Sequence, residues 1–198
     1  MTEEPGKLPN PESIGFLKGR IVDFNGLFQG QFEVDGGVKI PCVLLGNTIK
    51  VNRMVAAGSQ VWTVYPQVYQ GSLSLKVRER ASQKTLSKEG QFFIKGRIKK
   101  ISERRIVLEI WSVERQREYQ VILDGFLKAE VDQYWSLEAA LEGDKLVLVD
   151  GQMLAAVFNR EDFVSFRNRK ELTVSIVPEV VASDLASDLE TLLEPVVS

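Results

Sequence analysis

The densest set of residues able to do chemistry in this chain is a run of cations, Lys95, Arg97, Lys99, Lys100, Arg104 and Arg105, followed by Trp111, Arg115, Arg117 and Tyr119. Side chains alternate along an extended strand, so Lys95, Arg97 and Lys99 would share one face while Ile94 and Ile98 point to the other. Three cations in line could follow a phosphodiester backbone. Rings interleaved with them could stack on bases, which is worth about 1–3 kcal/mol per base whatever its identity. The same pattern also suits a solvated strand face with Trp111 closing the end of a barrel. A sparser set lies earlier, in Tyr65-Pro66-Gln67-Val68-Tyr69-Gln70, read as a loop between two strands, with Lys18 and Arg20 nearby on the first strand. There too the rings either stack on bases or cap a core.

Catalysis finds little to work with. The chain has no histidine, the usual general base near neutral pH, and its single cysteine excludes an internal disulfide and a Cys/His zinc site. Cys42 stands among Ile40, Val43 and Leu44 and reads as a buried strand thiol. No paired-carboxylate motif, phosphate-cradling glycine loop or nucleophile elbow occurs, and Asp124-Gly125 and Asp150-Gly151 read as turns. The expectation is non-catalytic binding with no cofactor and no metal. Charge limits what is bound: residues 1–170 hold 25 Lys and Arg against 21 Asp and Glu, while residues 171–198 hold six acids and no base. A body so mildly basic cannot rest its affinity on phosphate neutralisation alone, so local patches and stacking would have to contribute. No apolar run is long enough to span a bilayer and Met1-Thr2-Glu3-Glu4-Pro5 is unlike a secretory leader, so the expected setting is soluble and cytoplasmic, with no membrane partner.

The elements that must position these residues repeat. Phe16-Leu17-Lys18-Gly19-Arg20-Ile21-Val22 returns 77 positions later as Phe93-Ile94-Lys95-Gly96-Arg97-Ile98-Lys99. A second echo sets Gly58-Ser59-Gln60-Val61-Trp62-Thr63-Val64 beside Gly143-Asp144-Lys145-Leu146-Val147-Leu148-Val149, at an offset of 85. After a proline-rich lead-in over 1–13, the first module (14–80) reads as strands near 14–24, 28–34, 38–45, 60–66 and 72–79. A short helix over 47–57 comes before the fourth strand. Residues 81–90 read as a linker. The second module (91–158) reads as strands near 92–101, 105–112, 117–124, 145–149 and 152–158, with a helix over 127–142 suggested by Ala129, Leu137, Ala139, Ala140 and Leu141. The predicted fold class is all-β: two five-stranded OB-like Greek-key barrels in tandem, with short helices and an acidic C-terminal tail. Gly19 and Gly96, costly in a flat sheet, fit first strands that bend to serve both sides of a barrel closure.

The Lys-Gly-Arg-Ile opening, the glycine-led fourth strand and the order of three strands, a helical connection and two strands resemble the tandem OB-fold proteins. These include the RNA-binding barrels of ribosomal and ribonuclease proteins and the single-stranded DNA-binding proteins. That resemblance, covering 14 to about 158, implies single-stranded nucleic acid, RNA or DNA, as a partner. A protein–protein adaptor or assembly subunit that uses the barrels without nucleic acid is the alternative. Beyond the barrels, Asn159 followed by Arg160-Glu161-Asp162-Phe163-Val164-Ser165-Phe166-Arg167 reads as a short helix within 159–172, packed on the second barrel. In the tail, 173–198, Leu185, Leu189, Leu192 and Leu193 fall at helical spacing on an acidic segment. That segment could solubilise the chain, dock on its own barrel, or offer a leucine face to a protein partner. Bacterial single-stranded DNA-binding proteins are similar in carrying an acidic tip that recruits enzymes, but this chain ends Glu194-Pro195-Val196-Val197-Ser198, without their terminal phenylalanine.

Overall fold

The computed structural model describes residues 8–112 and 117–159, which form ten β-strands, one short α-helix and one 3₁₀ turn. The expected helix over 160–167, the leucines at 185, 189, 192 and 193, and Arg115 lie outside the described residues. No described helix is long and apolar enough to cross a membrane.

The first five strands are β1 (Glu12–Val22), β2 (Gln29–Val34), β3 (Lys39–Leu44), β4 (Gln60–Tyr69) and β5 (Ser72–Arg80). They close into a barrel: β1 pairs β2, β2 pairs β3, β3 runs parallel to β5, and β5 returns through β4 to β1. Closure depends on β1 serving two partners. Gly15 to Gly19 pair with β4 and Gly19 to Val22 pair with β2, so Gly19 stands at the changeover. A Cβ there would lie 2.3 Å from the Glu33 carbonyl oxygen, so only glycine lets the two strands approach this closely. The buried Trp62 indole fixes the same point by donating from Nε1 to the Gly19 carbonyl at 3.0 Å. Helix α1 (Thr48–Ala56) begins at Asn47, whose side chain accepts from the Lys50 amide at 2.9 Å, and packs Val51 and Met54 into the core.

The next five strands are β6 (Gln91–Ser102), β7 (Arg105–Ser112), β8 (Arg117–Asp124), β9 (Tyr134–Glu142) and β10 (Lys145–Ala155). Their pairing follows the same order: β6 with β7, β7 with β8, β8 parallel to β10, β10 with β9, and β9 back to β6. The parallel step is the sparse one, made through the single pair Val147↔Asp124, where β3 and β5 are joined through Cys42↔Leu75, Val43↔Lys76 and Leu44↔Val77.

Two expectations are corrected here. Residues 134–142 are strand β9, not part of a helix, and no helix fills the place of α1 in the second five strands. Leu137, Ala139 and Leu141 alternate with Glu138, Ala140 and Glu142, and pairing with both β6 and β10 outweighs the intrinsic helix preference of alanine, leucine and glutamate. The fourth strand of the second set is therefore β9, and in place of two strands, 145–149 and 152–158, there is one, β10, which ends at Ala155 and is irregular at Leu148/Asp150 and Met153/Ala155. Gly143 consequently lies in the β9–β10 turn while Gly58 precedes β4, so the second sequence echo joins places that are not equivalent. Likewise Tyr65 to Tyr69 belong to β4, and the turn after it is Gln70-Gly71. Asp150-Gly151 lies within β10 and is not a turn.

The two sets of strands share a seam. Glu12 to Gly15 of β1 pair antiparallel with Phe92 to Lys95 of β6, making one continuous ten-stranded sheet. Gly15 makes the seam possible, because a Cβ there would sit 2.3 Å from the Phe92 ring. Buried residues of both sets form one cluster, from Leu17, Phe32 and Trp62 through Phe92 and Ile94 to Leu108 and Leu137. On the opposite face of β1, Phe16 packs with Val61 and Ala81 against Ile14 and Phe93. The expected linker is part of this seam: Gln83–Lys88 form the 3₁₀ turn and the Gly90 amide donates to the Phe16 carbonyl at 2.7 Å.

Candidate functional site

Strand β6 presents its cations as the alternation requires, with Ile94 and Ile98 fully buried behind them. Lys95, Arg97 and Lys99, however, each meet a carboxylate. Lys95 Nζ lies 2.8 Å from Glu12 across the seam, Lys99 Nζ lies 2.7 Å from Glu109 of β7, and Arg97 bonds Glu109 and reaches Asp132 at 3.4 Å. Glu109 is only 6% exposed, held beneath the two cations. Burial alone would raise its pKa, but the Lys99 and Arg97 hydrogen bonds and charges outweigh burial and leave it lowered, so the carboxylate stays ionised. Arg97 also lies over the Phe158 ring, 5.7 Å from its centroid. Lys18 and Arg20 are similarly answered, by Asp35 at 3.1 Å and Glu33 at 2.5 Å, and neither lines the hollows around Tyr65 and Tyr69.

The aromatic residues come together elsewhere. Tyr65 of β4, Trp111 of β7 and Tyr119 of β8 line one cleft of about 510 Å³ between the two sets of strands, with Lys76 and Arg78 of β5 and Lys50 of α1. Arg78 donates from Nη1 to the Tyr65 hydroxyl at 3.3 Å, and Lys76 stands over the Tyr119 ring at 5.4 Å. A neighbouring hollow of about 760 Å³ shares Gln67, Lys76 and Tyr119 with the cleft and extends it past Tyr69 and Arg117 to residues 29–31 of β2 and 41–43 of β3. Period-two alternation explains the wall: Tyr65, Gln67 and Tyr69 project to one side of β4 while Val64 and Pro66 are buried on the other. Tyr69, 61% exposed, stands at the tip of the β4–β5 hairpin.

A buried serine sets the geometry of the cleft. Ser13 of β1, 1% exposed, has one hydroxyl proton and donates it to the Pro66 carbonyl at 3.1 Å, so the Tyr119 hydroxyl, 2.9 Å away, donates to Ser13. One residue thus ties β8 of the second set to β4 of the first. Burial raises the Tyr119 pKa and keeps the phenol neutral. The arrangement sets planar rings beside the cations Lys50, Lys76 and Arg78, with Glu12 also in the lining. Among the described residues no group of histidine, cysteine or carboxylates is placed to hold a metal. Cys42 is buried, and desolvation pushes its thiol up to about 12, against a lowering hydrogen bond from Gly30.

Of the residues singled out from the sequence, Tyr65, Tyr69, Trp111, Arg117 and Tyr119 are brought together. Lys18, Arg20, Lys95, Arg97 and Lys99 are not, and Arg105 lies on a separate patch beside Asp124. Lys76, Arg78 and Ser13 were missed. The alternation Ser74, Lys76, Arg78, Arg80 against Leu75 and Val77 was a readable signal for the first two, whereas the role of Ser13 depends on a pairing between distant strands. Compared with known proteins, the chain matches no family model and no curated protein.

Proposed function

We propose that this protein binds single-stranded nucleic acid, RNA or DNA, without catalysis, in the cleft between two OB-like barrels. On this reading the second five strands are a barrel of the same kind as the first, and their shared pairing order supports it. The observation that carries the function is the convergence of Tyr65, Trp111 and Tyr119 with Lys76 and Arg78 in one cleft. Rings stack on bases of any identity while cations meet phosphates, which is what binding a single strand without reading its sequence requires. The acidic, leucine-lined segment around Leu185, Leu189, Leu192 and Leu193 would recruit a protein partner. The alternative is an adaptor whose barrels contact protein alone, and the pairing of Lys95, Arg97 and Lys99 with carboxylates favours it.

Oligonucleotide binding measured at low and moderate salt separates the two. Binding should be clear at low salt and weaken as salt rises, since phosphate contacts release counterions. Trp111→Ala should weaken it by about 1–3 kcal/mol with the fold intact. No binding even at low salt would leave the adaptor reading standing alone.

A further inference from the structure

We propose that the ligand strand does not end at Tyr69 but continues round the tip of the β4–β5 hairpin onto a cationic patch of the second set of strands, so that one polynucleotide is held by two chemically different segments. This deepens the nucleic-acid reading above and rests on it. The patch is a concavity of about 670 Å³ in which Lys100, Arg104, Arg105 and Lys145 surround a floor formed by Val107 and Ile122.

Its charge is not cancelled as that of the β6 line is. Asp124, the one acid lining it, is shared by Arg105 at 3.6 Å and Lys145 at 3.3 Å. Lys100 and Arg104 have no ion-pair partner among the described residues, and both are exposed. A register shift in β6 explains how one strand supplies both surfaces. Between Ile98 and Lys100 an extra residue is inserted opposite β7, so Lys99 and Lys100 are both exposed. Lys99 turns to Glu109 and Lys100 to the open patch.

Continuity comes from a third hollow of about 140 Å³ at the hairpin tip, formed by Gly71, Ser72 and Leu73. It shares Val68 with the extension of the cleft and Arg105, Ile122, Asp124 and Lys145 with the patch. The hollows therefore adjoin one another from Trp111 past Tyr69 to Arg104, with Asp124 and Asp144 the acids of the connecting one. Its two ends differ in kind: the cleft has rings to stack bases, whereas no aromatic ring lines the patch, which suits it to phosphates.

The test uses the full chain and oligothymidylates of about 4 and about 12 nucleotides, lengths within the span that single barrels cover. The longer should bind more tightly. Lys100→Glu combined with Arg104→Glu should weaken the longer by about tenfold or more and flatten its salt dependence by about 1–2 in log–log slope. Binding of the shorter, and the melting temperature, should be unchanged, whereas Trp111→Ala should weaken both lengths. If Trp111→Ala weakens both but the double variant changes neither, the continuation onto the patch is wrong and the cleft reading stands. If neither oligonucleotide binds at low salt, both readings fall together. An oligoglutamate peptide that binds as tightly as the longer oligonucleotide, and is lost in the double variant, would overturn the proposal by assigning the patch to an acidic protein segment.

Discussion

On the outer face of β6, Lys95, Arg97 and Lys99 are each within reach of a carboxylate contributed by another element: Glu12 from β1, Glu109 from β7 and Asp132 from the segment before β9. In the cleft between the two sets of strands, Lys76 stands over the Tyr119 ring and Arg78 donates to the Tyr65 hydroxyl. A cation beside an anion presents a short dipole whose field dies within a few ångströms in salt water, so the β6 line offers a ligand little net charge. The most basic stretch of sequence thus makes a surface whose charge is largely answered. What decides is the cross-strand neighbour, which lies from 10 to 83 positions away in the chain.

The cleft can be lost without touching the β6 line, and this is the largest effect expected. Trp62→Ala removes the fully packed indole that fixes β4 to the β1 changeover, so it should cost about 3–5 kcal/mol and lower the melting temperature by several degrees or more. Thermal unfolding followed by circular dichroism reads this directly, and an unchanged midpoint would mean that something other than Trp62 sets the cleft wall. Next in size is the buried carboxylate of the β6 face. Glu109→Gln should destabilise the fold by about 1–2 kcal/mol near neutral pH, a modest figure because Arg97 and Lys99 are themselves partly exposed.

The sign of its pH dependence follows from the lowered pKa. A carboxyl depressed in the folded state stabilises fully above its unfolded value, near 4.5, and that contribution is lost as pH falls through the folded value. The stability gap between wild type and Glu109→Gln should therefore be widest above about pH 5 and close in acid. Denaturant titrations across that range would refute the assignment if the gap stayed constant. The same substitution uncovers Arg97 and Lys99, so oligonucleotide binding at low salt should strengthen. The smallest effect is expected from the line itself: Lys95→Gln with Lys99→Gln should change oligonucleotide affinity by less than about twofold at moderate salt. A tenfold loss would erase the contrast between the two surfaces.

Much of the barrel was legible because it rests on local rules. The hairpin at Asp35-Gly36-Gly37, the Asn47 cap of α1 and the glycine bend at Gly19 each follow from residue type at a single place. Residues 134–142 misled because alanine, leucine and glutamate prefer helix while their alternation is strand-like, and only the presence of β6 and β10 on either side settles such a conflict. The site was half legible. Tyr65, Tyr69, Trp111 and Tyr119 could be chosen as exposed-type rings, but the part played by Ser13 could not. A serine in a strand becomes a tie only when β1, β4 and β8 meet.

By itself, the order of residues determined an all-β chain, a closed first barrel and a buried, unreactive Cys42, since periodicity, turn chemistry and apolar neighbours act over a few positions. Tertiary structure alone decided that β1 and β6 join into one sheet, that carboxylates from three other places neutralise the β6 cations, and that rings from both sets of strands share a cleft. Charge and stacking act through space over a few ångströms, and only the folded chain brings residues tens of positions apart within that distance.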